Sequence, residues 1–261
     1  MKNILKSIFV IFVLTSLCTF NVFSSEDTKK LLSTDWSFKG FTGKFDRASL
    51  QRGYQVYTEV CASCHSMKLL SYRNLAEEGG PEFSEDQVKA IASNFEVTDG
   101  PNSDGEMFTR PAKPSDNFVK PYQNVQEATV SNGGAYPPDM SVLVKARSGG
   151  ADYIYSLLLG YDDPPSNIQL DDGVYYNTYM PGNKIMMPNP LSEGLIDYND
   201  GTEATNEQMA KDVTTFLAWA AEPHLEARHR IGFKAIIYLI ILTLLAYFSM
   251  KRLWSRIEPK V

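Results

Sequence analysis

The stretch Val60–Leu70 packs two cysteines and a histidine into five residues, Cys61-Ala62-Ser63-Cys64-His65. Such a set can serve a zinc site, a redox dithiol, a local disulfide or covalent attachment of a haem. A structural zinc site needs about four ligands, and two thiolates with one histidine leave it one short. The third cysteine of the chain, Cys18, sits in an apolar N-terminal run, and His224 and His229 lie far along the chain. A thioredoxin-type dithiol opens a helix that follows a strand. The segment before Cys61, DRASLQRGYQVYTEV, reads instead as a helix, with Asp46 as N-cap and Leu50, Tyr54, Tyr57 and Val60 at helical spacing. A Cys61–Cys64 disulfide would close too small a loop to stabilise much. Cys-x-x-Cys-His is the signature of c-type haem attachment. Two thioethers hold the haem edge, and the next residue, His65, lies beneath the iron. The cofactor implied is one covalently bound haem c.

An electron-transfer haem of this kind usually takes histidine and methionine, or two histidines, as axial ligands. His224 and His229 belong to EPHLEARHR, beside an apolar segment, and read as interfacial surface groups. Met67 is too close to His65 to reach the opposite face. Met209 is at helical spacing with Val213, Phe216 and Leu217 and suits core packing. Met186 and Met187 lie in MPGNKIMMPNPL, a Gly- and Pro-rich loop after the strand-like VYYNTY. A proline-stiffened loop can hold a thioether against iron with little motion. Residue spacing leaves both methionines open.

The two ends of the chain position this site in space. Lys2 and Lys6 precede an apolar run, Ile8 to Cys18, and Val22 and Ser24 are small enough to stand before a cleavage point. That pattern is a signal peptide, residues 1–24, and it implies export of the body, residues 25–223. Ile231 to Met250 is apolar apart from Lys234 and long enough for a membrane-spanning helix. It belongs to an anchor segment, 224–250, followed by a short tail, 251–261. The signal peptide orients the anchor: body outside, tail in the cytoplasm. A Sec-like signal favours a bacterial inner membrane, with the body in the periplasm.

Between Glu26 and Glu222 there are 16 basic and 29 acidic residues, a net charge of −13. So acidic a surface excludes nucleic-acid binding and suits a basic protein partner reached by electrostatic steering. Glu96 to Asn124, rich in Pro, Gly, Asp and Ser, reads as one long loop. VLVKARSGGADYIYSLLLGYDDPP reads as two helical stretches joined at Gly149-Gly150 and stopped by Pro164-Pro165. Thr205 to Gln208 forms a capping box that opens a further helix. The expected fold is mainly α: a c-type cytochrome-like haem domain with long loops, plus one C-terminal transmembrane helix.

Six stretches carry a resemblance: CASCHSMKLLSYRNLA, RPAKPSDNFVKPYQN, NGGAYPPDMS, KARSGGADYIYSLLLGYDDPP, PGNKIMMPNPL and FLAWAAEPHLEARHRIGFK. In these the chain is similar to the cytochrome c1 family, the haem subunits of ubiquinol–cytochrome c reductase (bc1) complexes. The resemblance covers nearly everything from Phe45 to Lys251. It implies Met187 as axial ligand, because the pattern Pro-Gly-x-x-Ile-x-Met ends there. The preceding position is usually small in the family and is Met186 here. It further implies Arg147 beside a haem propionate, Tyr153 in the pocket, and Asn132 with Pro137-Pro138 in a loop near the haem edge. The function implied is single-electron relay from a Rieske iron–sulfur protein to a cytochrome c, next to cytochrome b in the lipid bilayer. No bond is made in such a subunit, so no catalytic acid or base is expected. The rival readings are a tethered c-type carrier feeding an oxidase, and a haem enzyme or gas sensor with an open sixth site.

Overall fold

Asp46 accepts from the Ala48 and Ser49 amides and caps α1 (Arg47–Glu59), which leads directly to the cysteine stretch. This is the helix expected from the sequence. It is seen in a computed structural model that describes residues 29–256. The segment 1–24, expected to be a signal peptide, and the last residues of the chain lie outside the described residues. After α1 come α2 (Glu85–Ser93), α3 (Val125–Ser131), α4 (Gly150–Leu159), α5 (Asn206–Ala221) and α6 (Leu225–Trp254). Short 3-10 turns lie between the helices, and there are two small antiparallel pairs: β1 (Glu96–Asp99) with β2 (Phe108–Pro111), and β3 (Tyr175–Tyr176) with β4 (Lys184–Ile185). The architecture is mainly α with long loops.

The core is built where α1 packs against α5, and α4 also packs against α5. Leu50, Tyr54 and Tyr57 of α1 meet Met209, Val213, Phe216 and Trp219 of α5. Tyr54 and Phe216 lie edge to face at 5.7 Å, and Phe118 stacks on Tyr72 at 4.8 Å. Such pairs add to the burial of the rings themselves. The two helices approach closely because Gly53 faces α5. A Cβ there would stand 2.1 Å from the Asp212 carbonyl oxygen and 2.7 Å from the Phe216 Cβ. Gly53→Ala should therefore destabilise the domain by about 3 kcal/mol, the scale of a forced overpacking. Thermal or urea unfolding reads this directly, and a loss below ~1 kcal/mol would show that the crossing relaxes at little cost.

Three local expectations are revised. The stretch 96–124 is not one unstructured loop: Glu96 pairs with Pro111 and Asp99 with Phe108 in a short hairpin. Four-residue strands this exposed carry too little alternation to be read from sequence. The first half of VLVKARSGGADYIYSLLLG forms turns, and only Gly150–Leu159 is an α-helix. Gly149 and Gly150 both have positive φ, +87° and +56°, so no helix continues through them. Finally, Thr205 caps α5 by accepting from the Gln208 amide, but the Gln208 side chain donates to Asp212 instead of closing the box.

α6 is long and apolar enough to cross a membrane, and its apolar residues are exposed in the isolated chain. At its approach, Glu222 accepts from Arg228 at 2.8 and 2.9 Å and also pairs with Lys145. Arg228 first, then Lys145, hold this carboxyl down to about 2 against the opposing effect of burial. The resulting stabilisation is complete above the ordinary glutamate value of 4.5 and is lost as pH falls from there through about 2. Glu222→Gln should flatten the acid limb of the stability curve over that window. An unaltered limb in the variant would mean that other carboxylates set it.

Candidate haem-binding site

α1 ends at Glu59, and the chain tightens at once into a 3-10 turn, Cys61–Ser63. The Cys64 and His65 amides both donate to the Cys61 carbonyl, at 3.1 and 2.9 Å. Both thiols are unpaired and half-buried. Burial, with a smaller contribution from Cys64, pushes the Cys61 thiol up to about 12. A redox dithiol needs the opposite, a depressed thiol. Among the described residues no group of three or more His, Cys, Asp and Glu is gathered as a bare-metal site.

His65 is buried, 8% exposed, and its Nδ1 lies 2.8 Å from the Pro138 carbonyl oxygen. A carbonyl only accepts, so Nδ1 carries the proton and Nε2 keeps its lone pair. Burial depresses the His65 basicity below its ordinary value, although the Pro138 carbonyl and the Asp139 charge pull the other way. The imidazole is neutral at neutral pH, oriented, and free at Nε2, the form an iron ligand requires. Two unpaired thiols followed by such an imidazole fit a covalently held haem.

The segment after His65 is stitched to the loop that carries Pro138. Ser66 donates to Asp139 at 2.8 Å, Asp139 also accepts from the Lys68 and Ser141 amides, and the Met140 amide donates to the Ser66 carbonyl. Asp139 was not singled out in the sequence. A short acidic residue after two prolines gives no signal until residue 66 is seen beside it. Pro137 and Cys64 both border a cleft of about 150 Å³, with Ser66, Tyr122 and Tyr136. Asn132 ends α3, where its side chain donates to the Ala128 carbonyl and to the Tyr122 hydroxyl. It shapes the cleft wall through Tyr122 and is engaged with its own helix.

Seven methionines fall among the described residues outside the anchor, and burial sorts them. Met67, Met140 and Met209 are core residues, while Met107 is 61% exposed beside the hairpin. The remaining three lie together in residues 180–187. Met186 is 39% exposed, whereas Met180 and Met187 are half-buried. The Met180 sulfur accepts a hydrogen bond from the Tyr153 hydroxyl at 3.7 Å. Met187 follows β4, and its carbonyl accepts from the Tyr161 hydroxyl at 3.0 Å.

Asn177 holds this segment in place and was missed in the sequence. It is fully buried, donates to the Leu157 carbonyl of α4, and accepts from the Tyr179 and Met180 amides. Gly160, at the end of α4, makes room for it: a Cβ would come within 2.6 Å of the Tyr179 ring and 2.8 Å of the Asn177 side-chain oxygen. Arg147 is exposed, and its side chain donates to the Ala146 carbonyl. Its charge reaches the Tyr153 hydroxyl, where burial is the larger effect and raises the phenol above its ordinary value. The contacts thus join Cys61–His65 to Pro138–Asp139, and Tyr153 to Met180. An open cleft of about 450 Å³ lies at Tyr161, Asp162, Tyr175 and Asn189, and none of Cys61, Cys64 or His65 borders it.

A model described as the cytochrome C1 family matches residues 36–257. The chain is 46% identical over 250 residues to "Cytochrome c1 1, heme protein, mitochondrial" of Arabidopsis thaliana, covering 94% of this chain and 80% of that protein. It is 43% identical over 251 residues to "Cytochrome c1" of Rhodospirillum rubrum, covering 90% and 91%. It is 47% identical over 251 residues to "Cytochrome b/c1" of Bradyrhizobium diazoefficiens, where it spans 36% of that longer protein.

Proposed function

The chain belongs to the cytochrome c1 family, and from that premise we propose that it is a membrane-anchored monohaem c-type cytochrome of a bc1 complex. In this reading it passes single electrons from a Rieske iron–sulfur protein to a cytochrome c and neighbours cytochrome b in the bilayer. The observation that carries the proposal is His65, neutral and free at Nε2, directly after two unpaired thiols. A bound haem c supplies an iron that changes by one charge without bond making. Cys61 and Cys64 would hold it through thioethers, and His65 and Met187 would supply the nitrogen and the sulfur to its iron. Pro138 fixes the His65 ring and its tautomer, so the ligand does not reorganise when the iron charge changes. Arg147 places a cation for a propionate, with Tyr153 beside it. Pro137 borders the cleft at Cys64, and Asn132 supports its wall through Tyr122.

α6 is the single-pass anchor. The domain order is signal peptide 1–24, exported haem domain 25–223, anchor segment 224–250 and tail 251–261. The haem domain lies on the periplasmic side of a bacterial inner membrane. The net charge of −13 on the exported body favours a basic cytochrome c. Raising ionic strength should slow electron delivery to such a partner, because exposed charges are screened within about 10 Å at 0.1 M salt. Stopped-flow oxidation measured across a salt series reads this, and a flat response removes the steering argument.

The primary test is a reduced-minus-oxidised visible spectrum of protein purified in mild detergent. A c-type band accompanied by b-type bands supports the bc1 assignment. A c-type band alone, with membrane complexes intact, points to a tethered carrier outside such a complex.

A further inference from the structure

We infer that Arg47 is a positioning residue that clamps the haem domain onto its membrane helix, so that domain and anchor move as one body. The inference rests on the haem-domain reading above for its function, and on the following contacts for its geometry. α5 ends at Ala221 and α6 begins at Leu225, and the three residues between them could act as a pivot. The Arg47 guanidinium closes that pivot from the far end of the sequence. Nη1 and Nη2 donate to the two Glu226 carboxylate oxygens at 2.8 and 2.9 Å, the planar two-point pairing that fixes direction as well as distance. Nε donates to Glu82 at 2.8 Å, and Nη1 also reaches the Phe45 carbonyl at 2.9 Å. Glu226 accepts in addition from the Phe45 amide at 2.9 Å. One arginine thereby ties the start of α1, the 79–82 loop and the first turn of α6.

The loop itself is built for this contact. Glu82 sits at φ +55°, a left-handed backbone that a non-glycine residue adopts only when its surroundings hold it there. Its carboxylate accepts from both Arg47 and the Gly79 amide. Gly79, at φ +91°, lies against the Glu226 side chain, and Gly80 lies against the Trp219 ring. A second pair, Arg230 with Glu78 at 2.8 Å, continues the contact one turn further along α6, in the open. Both partners of the Arg47–Glu226 pair are largely shielded from water, 30% and 17% exposed at the side chain, so screening by salt weakens it less than the outer pair.

The functional consequence is a fixed haem. A domain on a pivot would sample many orientations relative to the bilayer, whereas a clamped one presents the same edge to its partners at all times.

The test uses the full chain in nanodiscs, with spin labels attached through azide-bearing residues at Glu85 on α2 and Lys234 on α6. Pulsed electron–electron resonance reads the distance distribution between them. The unmodified protein should give one narrow distribution. Arg47→Ala should broaden it at least two-fold while leaving the haem spectrum unchanged. Arg47→Lys, which keeps the charge but loses the two-point geometry, should fall between. If Arg47→Ala does not accumulate, Glu226→Gln serves with the same expectation. A broad distribution in the unmodified protein, or an unchanged width in the variants, overturns the clamp. A missing c-type band in the unmodified protein overturns the haem reading alone, since the label distances need no haem.

Discussion

Met187→Leu is expected to lower the reduction potential on the order of 100 mV or more, or to open the iron to carbon monoxide. Met186→Leu should do neither. The scale follows from the range of roughly 0.8 V that axial ligands span, and from the raised potential that a methionine ligand confers beside histidine. The two residues are adjacent, so spacing does not separate them, but their surroundings differ. Met186 is 39% exposed. Met187 is half-buried, and its backbone is held by Tyr161. Met180→Leu is the control for the third methionine of this segment, whose sulfur is already engaged by Tyr153. Redox titration of the three variants, with a carbon monoxide difference spectrum for each, gives the answer. A large shift in Met186→Leu or Met180→Leu with none in Met187→Leu moves the ligand to that residue.

Asp212→Ala is expected to destabilise the haem domain by about 3 kcal/mol, or on the order of 10 °C in melting temperature. Asp212 is fully buried on α5 and is the acceptor for three side chains. Ser49 donates to it at 2.5 Å, Arg52 at 2.8 and 3.2 Å, and Gln208 at 2.8 Å. Removing it leaves Ser49 without its acceptor and Arg52 with Asp200 alone at the α1–α5 crossing. Breaking a buried ion pair by removing one partner typically costs about 3–5 kcal/mol. The lower end applies here because Arg52 keeps Asp200 at 2.8 Å. Since α1 carries the cysteines at its end, haem incorporation should fall in the same variant. A melting point within ~2 °C of the unmodified protein would mean that water or Asp200 takes over from Asp212 without loss.

Much of the candidate site was legible because its motif is local. Cys61, Cys64 and His65 lie on one turn, and a turn of that length needs no distant residue to form. The preceding helix was legible for the same reason: Asp46 caps it, and its apolar residues recur at helical spacing. The anchor helix follows from composition over twenty residues, and the acidic body from counting charge. The hairpin at 96–111 was not legible, because strands so short and exposed leave no period. The 142–146 stretch was misread as helix because apolar content there signals burial as well as it signals helix. Neither Asp212 nor Asn177 announces itself, since a polar residue in a sequence becomes structural only when its partners come from elsewhere in the chain.

The sequence by itself therefore determined the Cys-x-x-Cys-His motif, the long apolar C-terminal helix, the mainly helical class and the family. The tertiary structure decided which nitrogen of His65 is free, because Pro138 stands 73 residues away. It also decided that Met180 and Met187 are half-buried while Met186 is exposed, and that Arg47 closes on Glu226 across 179 residues. These are non-local contacts, and the pairing of two distant side chains depends on how the core packs between them, which no local pattern encodes.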